Sequence, residues 1–237
     1  MTDKLYLEDS YLKEFQAEVI KSNEEENYLV LNKTAFYPTG GGQPCDLGSI
    51  EFNGHISEVI KVKTLEGEIR HYLNGDLPLP GEIVTGSLAW ERRYNLMRTH
   101  TALHIMSAVV WRDYQVQVTG GNMEPLSGRL DFEFEHISQE ITTEIEQKVN
   151  YEISSGRNIT SRIISRKEAN KIPDLIRTKV NLLPDFLKEI RLVEIEGLDL
   201  QADGGTHVKN TSEIGIFKVV KYKSKGRINK RIVIEIQ

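Results

Sequence analysis

Two histidines lie four residues apart in a segment that predicts a helix. His100 and His104 fall within residues 97–107, a run without Gly or Pro. In a helix this spacing places both imidazoles on one face, one turn apart, where they can bind a single zinc ion. A helical metalloprotease has Glu directly after the first His as its general base, but that position is Thr101. The spacing therefore indicates a metal site without the protease base, with a structural role for the two histidines as the alternative.

A second group of candidate ligands lies far downstream, in the segment Asp203-Gly204-Gly205-Thr206-His207. Carboxylate oxygens and imidazole nitrogens are both ordinary zinc ligands, and the glycine pair permits a tight loop. Asp203 and His207 could therefore complete a site with the helical histidines. Taken alone, the segment is also compatible with an ordinary glycine turn that leaves His207 on the surface.

The composition is that of a globular protein. The chain has 237 residues, of which 39% are hydrophobic and 27% charged, enough for one large domain or two modest domains with a core each. It lacks a run of about 18 apolar residues, so no membrane span is expected, and its N-terminus lacks the features of a signal peptide. The single cysteine, Cys45, cannot form an internal disulfide. A cytoplasmic protein is therefore expected.

Charge is distributed unevenly along the chain. The net charge of −5 argues against a general nucleic-acid binder. However, residues 214–234 contain no acidic side chain. Such a segment can attract phosphates locally, although a solvated hairpin face explains the same pattern. The basic residues of this segment are Lys218, Lys221, Lys223, Lys225, Arg227, Lys230 and Arg231.

The first 89 residues predict a small antiparallel barrel. Short strand-like segments are separated by close turns; they are residues 15–20, 28–31, 49–52, 56–62, 68–73 and 82–88. Residues 39–44 interrupt them with three consecutive glycines, so this segment must be irregular. It lacks the Gly-Lys-Ser/Thr ending of a phosphate-binding loop, and no nucleotide cofactor is expected.

After Trp90 the pattern changes to mixed helices and strands. The histidine helix should run to about Trp111, and a second helix should follow Ser138 as its N-cap and end before Gly156. Together these segments predict an α+β sandwich, with domains at 1–90 and 91–237. The other predicted elements are a loop at 118–122, strands at 128–135, 158–165 and 190–195, a short helix at 166–172, and a hairpin pairing 216–222 with 231–236.

Three well-separated motifs resemble the editing region of alanyl-tRNA synthetases and the free-standing alanyl-tRNA editing proteins. They are residues 34–48 (TAFYPTGGGQPCDLG), 98–104 (RTHTALH) and 203–215 (DGGTHVKNTSEIG). Residues 225–232 (KGRINKRI) resemble the end of the same module. The resemblance covers nearly the whole chain, and the N-terminal glycine-rich domain is similar to that of the medium-length form.

This resemblance implies a barrel-like N-terminal domain and a catalytic α+β domain related to the editing domain of threonyl-tRNA synthetases. It implies a hydrolase that removes wrongly attached serine from tRNA(Ala), with glycine as a second candidate substrate, and that acts in trans without charging tRNA. One zinc ion would be held by His100, His104, His207 and Asp203, or by the three histidines and a water. The position of Asp203 is commonly Cys in the family, so a hard carboxylate replaces a soft thiolate here.

The resemblance also assigns residues to the substrate. Thr119 occupies the place of a substrate-contacting threonine and, with His100 and His104, is a predicted catalytic residue. A turn residue before two glycines is the alternative for Thr119. Gly120 and the N-terminal residues Gly41, Gly42 and Gln43 are predicted to lie against the substrate. The zinc ion would either lower the pKa of a water or hold the substrate's amino group or carbonyl; the sequence does not choose between these roles.

The predicted partner is mischarged tRNA(Ala), bound through Arg98, Lys221, Lys223, Lys225 and Arg227. Two other functions remain open on the sequence. One is a zinc-containing RNA-binding module without catalysis. The other is a hydrolase of D-aminoacyl-tRNA or of a small ester.

Overall fold

The computed structural model describes residues 2–175 and 187–237. The chain folds into two compact units, Met1–Asn95 and Leu96–Gln237. The division falls five residues after the domain boundary predicted near residue 90, inside one continuous helix, Trp90–Tyr114. The assignment of 91–237 as the catalytic domain stays a prediction. Within the described residues, no helix is long and apolar enough to span a membrane.

The N-terminal unit is an antiparallel β-barrel, as the sequence predicts. Its elements are β1 (Asp3–Lys4), α1 (Leu5–Glu8), β2 (Glu14–Asn23), β3 (Tyr28–Leu31), β4 (Lys33–Thr34), β5 (Gly48–Phe52), β6 (His55–Leu65), β7 (Glu68–Asn74) and β8 (Ile83–Leu88). Six strands close in the order β2-β3-β7-β6-β5-β8. Along β2, buried and exposed residues alternate, so that Phe15, Ala17 and Val19 enter the core.

The glycine-rich segment forms a tight turn within this unit. Gly40 and Gln43 exchange two backbone hydrogen bonds, of 3.1 and 2.9 Å. Between them Gly41 and Gly42 have φ values of 58° and 88°, a region that residues with a Cβ adopt at a cost. The turn buries the side chain of Gln43 almost completely.

A buried ion pair follows the turn. The Arg93 guanidinium donates to the Asp46 carboxylate, with a distance of 2.9 Å from Nε to Oδ1, and also to the carbonyls of Ser10 and Ala35. Both charged side chains are at most 1% exposed. Asp46 lies two residues after the glycine-rich segment 39–44, and Arg93 lies in the first turn of the long helix. The pair therefore joins these two segments of the barrel unit.

The C-terminal unit has the predicted α+β class. Its elements are α2 (Trp90–Tyr114, shared with the first unit), β9 (Val118–Glu124), β10 (Ser127–Phe132), α3 (Gln139–Ser154), β11 (Ile159–Ser165), α4 (Arg166–Ala169), β12 (Glu189–Ile195), β13 (Asp199–Ala202), a 3₁₀ turn (Thr211–Glu213), β14 (Phe217–Ser224) and β15 (Lys230–Ile236). Two antiparallel sheets form, β14-β15-β10-β9 and β11-β12-β13. Helix α3 begins after Ser138, whose hydroxyl accepts from the Ile141 N–H.

Three local predictions are wrong. The strand predicted at 128–135 ends at Phe132. Residues 118–122, predicted as a loop, lie in strand β9. Gly121 pairs with Leu130 of β10, and a Cβ at Gly121 would come within 2.8 Å of the end of the Leu130 side chain. Glycine therefore avoids a contact that would otherwise require Leu130 to change its conformation. The helix predicted at 166–172 ends at Ala169, because Lys171 and Ile172 bond to the carbonyls three residues before them in a tighter turn.

Candidate metal centre

Helix α2 supplies the first two candidate ligands. The ring centroids of His100 and His104 lie 4.9 Å apart, as expected for residues one turn apart on one face. Their helix neighbours Ile105 and Met106 are fully buried, so hydrophobic packing fixes this part of the helix.

The loop after β13 supplies the other two. Its Asp203 carboxylate accepts from the Gly205 N–H at 2.7 Å, which folds the loop back on itself. Arg191, on the neighbouring strand β12, donates to the carbonyls of Asp203 and Gly205 at 3.2 and 3.0 Å. These contacts hold the short loop that presents His207. Arg191 was not predicted from the sequence, because a lone Arg in a strand does not differ from a surface residue.

The structure brings the four side chains together. One potential ligand atom from each of His100, His104, Asp203 and His207 lies within 4.8 Å of the others. The Nε2 atoms of the three histidines all face the Asp203 carboxylate, at 3.7 Å for His100, 3.9 Å for His104 and 3.0 Å for His207. Three imidazole nitrogens and one carboxylate oxygen form a donor set that suits zinc.

Electrostatics also favour a bound cation. Burial holds the pKa of His100 well below 6.5 and lowers the pKa of His207 to about 4, against the opposing effect of Asp203. Burial opposes the ionisation of Asp203, but the charge interaction with His100 and the hydrogen bond from His207 outweigh it, and its pKa lies well below 3.8. At neutral pH these groups are therefore neutral imidazoles beside a carboxylate, the protonation states that metal binding requires.

Thr119 and Gly120 lie on strand β9. Gly120 pairs with Asp131 and Val118 pairs with Phe132, so Thr119 is the extra residue of a β-bulge. Its hydroxyl donates to the Asn229 side chain at 3.4 Å. Bulges re-aim side chains and are common beside active sites, but the substrate roles of Thr119 and Gly120 stay predictions. Gly41, Gly42 and Gln43 belong to the barrel unit, and their substrate contacts also stay predictions.

The basic residues near the C-terminus form the hairpin β14–β15. Lys221 and Lys223 pair with Val233 and Arg231 and therefore share one face of the sheet. Lys225 and Arg227 are exposed in the connecting turn. Lys230 has a different role: it is buried, and its ammonium donates to the carbonyls of Gly226 and Arg227, which closes the turn.

Arg98, also predicted to bind tRNA, has internal partners. Its guanidinium donates to the carbonyls of Ile214 and Gln237, at 2.9 and 3.4 Å. These bonds join helix α2 to the two ends of the C-terminal hairpin segment. The tRNA contacts of Arg98 and of the exposed hairpin residues stay predictions.

Comparison with known proteins identifies the family. Residues 7–92 match the family model for class II (A) tRNA synthetases, and residues 190–233 match the threonyl and alanyl tRNA synthetase second additional domain. An alanyl-tRNA editing protein AlaX-M from Saccharolobus solfataricus is 39% identical over 100% of both chains, and one from Methanosarcina barkeri is 37% identical over 98% of both. An alanine–tRNA ligase from Ignicoccus hospitalis is 37% identical over 92% of this chain but 24% of its own length. These matches confirm the resemblance seen in the motifs, and the chain belongs to the AlaX-M family of alanyl-tRNA editing proteins.

Proposed function

We propose that this protein is a zinc-dependent hydrolase that removes serine, and also glycine, from mischarged tRNA(Ala) in the cytoplasm. The observation that supports it most strongly is the match of the whole chain to editing proteins of the same length. The four-residue cluster in the C-terminal unit supports the hydrolytic chemistry. Thr101 follows His100 where a metalloprotease has its Glu, which disfavours a peptidase.

The roles of the residues follow from their chemistry. His100, His104, Asp203 and His207 would hold the zinc ion, and a bound zinc supplies Lewis acidity beside the scissile ester. The Thr119 hydroxyl would bind the side chain that distinguishes serine from alanine. The exposed cations of the hairpin β14–β15 would bind phosphates of the tRNA, and hydrolysis would free the tRNA 3′ hydroxyl and the amino acid.

The direct test is deacylation of seryl-tRNA(Ala), with a chelator-treated sample and a zinc-restored sample beside the untreated protein. Serine release that the chelator abolishes and zinc restores supports the proposal. Alanyl-, glycyl- and D-aminoacyl-tRNA(Ala), together with a small serine ester, serve as competing substrates. A metal-loaded protein that binds the tRNA but releases no serine would instead be an RNA-binding module, and preference for a D-aminoacyl or small ester would reassign the substrate.

We predict that Thr119→Val, which keeps the side-chain shape but removes the hydroxyl, reduces discrimination between serine and alanine. A neutral hydrogen bond contributes about 0.5–1.5 kcal/mol, so the ratio of seryl- to alanyl-tRNA(Ala) hydrolysis should fall about two- to tenfold. The measurement is the deacylation rate of each substrate at limiting enzyme. The zinc content should not change, because Thr119 is not a proposed ligand.

The matched control is Thr142→Val. Thr142 is a buried threonine of helix α3, and its hydroxyl donates to the carbonyls of Ser138 and Gln139. The Thr142→Val variant should keep the wild-type ratio of seryl- to alanyl-tRNA(Ala) hydrolysis. If Thr119→Val keeps it as well, the group that recognises serine lies elsewhere.

We predict that the hairpin contributes to tRNA affinity through phosphates. Replacing Lys221, Lys223, Lys225 and Arg227 with Ser should weaken binding and make it less dependent on salt. Each phosphate contact contributes roughly 0.7–0.9 to the slope of log K against log salt, so four contacts would change the slope by roughly 3. The measurement is a binding titration at several salt concentrations.

A charge-matched control replaces four other exposed lysines, Lys4, Lys167, Lys171 and Lys188. It lowers the net charge by the same amount and should leave most of the salt dependence. Equal effects of the two sets would mean that overall charge, and not the hairpin, determines binding.

A further inference from the structure

Each of the three histidines of the metal centre has one ring nitrogen that faces the other candidate ligands. Their Nε2 atoms face Asp203, so the Nδ1 atoms point away from it. A neutral imidazole carries one proton, and a ligand histidine binds metal with the nitrogen that lacks it. Whatever accepts the Nδ1 proton therefore fixes both the tautomer and the ring orientation.

Asp199 lies at this position beside His104. The distance from His104 Nδ1 to Asp199 Oδ2 is 3.6 Å, and the Asp199 side chain is only 1% exposed. The Gln201 amide donates to the same oxygen at 2.7 Å and orients the carboxylate. A shift of about 0.8 Å would bring the imidazole and the carboxylate to ordinary hydrogen-bond distance.

Thr101 lies at the equivalent position beside His207. Its Oγ1 is 3.1 Å from His207 Nδ1 and also accepts the Val208 N–H at 3.3 Å. A hydroxyl oxygen has two acceptor positions, so Thr101 Oγ1 can accept from the Nδ1–H tautomer of His207 as well as from the Val208 N–H. Thr101 is fully buried and lies between the two helical histidines, so it connects the helix directly to the loop that supplies His207.

We propose that Asp199 and Thr101 are positioning residues of the metal centre: when zinc replaces the proton that His207 Nε2 donates to Asp203, they accept the Nδ1 protons of His104 and His207 and so direct both Nε2 lone pairs at the ion. This inference rests on the proposed zinc site and deepens it. The proposal also gives Thr101, the residue after His100, a role different from that of the protease glutamate: Thr101 contacts the metal-binding residue His207.

The test measures metal binding apart from catalysis. In Asp199→Asn and Thr101→Val, zinc affinity measured by competition with a chromophoric chelator should fall about 10- to 100-fold. The visible absorption of the cobalt-substituted protein should change in both, because the ligand geometry changes. Thr101→Ser keeps the hydroxyl and should restore both the affinity and the spectrum.

Matched controls separate positioning from general destabilisation. Asp131→Asn alters a buried carboxylate that pairs with Arg231, and Thr142→Val removes a buried helical hydroxyl; neither should change zinc affinity or the cobalt spectrum. Wild-type affinity and spectrum in both Asp199→Asn and Thr101→Val, while His104→Ala loses the metal, would overturn the positioning roles but leave the zinc site intact. Full zinc binding by His104→Ala would overturn the site and the positioning roles together.

Discussion

Replacing His104 with Ala should remove the metal and the hydrolytic activity together. The variant leaves two histidines and one carboxylate at a site where four donors lie within 4.8 Å, and loss of an imidazole ligand leaves a set that binds zinc weakly. Zinc content should fall from about one ion per chain towards zero. Since a catalytic metal contributes several kcal/mol to transition-state stabilisation, deacylation of seryl-tRNA(Ala) should slow by at least about 100-fold.

The measurements are metal analysis after dialysis and single-turnover deacylation. His55→Ala is the control. His55 is 60% exposed on the barrel, where it pairs with the exposed Asp76 carboxylate and stacks on Phe52, so its replacement should leave both zinc and activity unchanged. His207→Ala, like His104→Ala, should lose both zinc and activity. Full zinc occupancy in both His104→Ala and His207→Ala would show that the cluster is not the metal site.

Of the variants proposed here, Arg93→Met should lower the free energy of unfolding the most. The substitution leaves the Asp46 carboxylate buried without its cation, and the carbonyls of Ser10 and Ala35 lose a donor. Removing one partner of a buried ion pair costs about 3–5 kcal/mol. The free energy of unfolding, measured by urea denaturation of the full chain, should fall by about that amount.

Two further variants test this explanation. Lys21→Met removes the cation of a partly exposed pair with Glu68, which keeps Arg70 as a second partner. Such pairs contribute little, so the denaturation midpoint should change far less than in Arg93→Met. The double variant Arg93→Met, Asp46→Leu should recover part of the stability, because no unpaired charge remains buried. If Arg93→Met unfolds at the wild-type urea concentration, this buried pair does not stabilise the fold.

The local pattern of the sequence predicted most of the secondary structure. Short strand-like segments separated by close turns identified the barrel strands, since both signals are local to the chain. Helix α3 was predicted by the Ser138 cap and Gly156, and apolar residues recur at every fourth position from Ile137 to Ile153. All of these signals act within a turn or two of the chain. Strand β9 was missed for the opposite reason: the contact of Gly121 with Leu130 depends on another strand and cannot be seen in the segment itself.

For the candidate site, the sequence by itself determined which side chains could bind a metal, because imidazole and carboxylate chemistry and the spacing of His100 and His104 are local properties. Only the tertiary structure decided that Asp203 and His207, about 100 residues further on, reach the same point. It also decided that Asp199 and Thr101 face the outer nitrogens and that Arg98 binds backbone carbonyls. The physical reason is range: helix and strand periodicity act between neighbours along the chain, whereas a metal centre depends on the packing of elements that are remote in sequence.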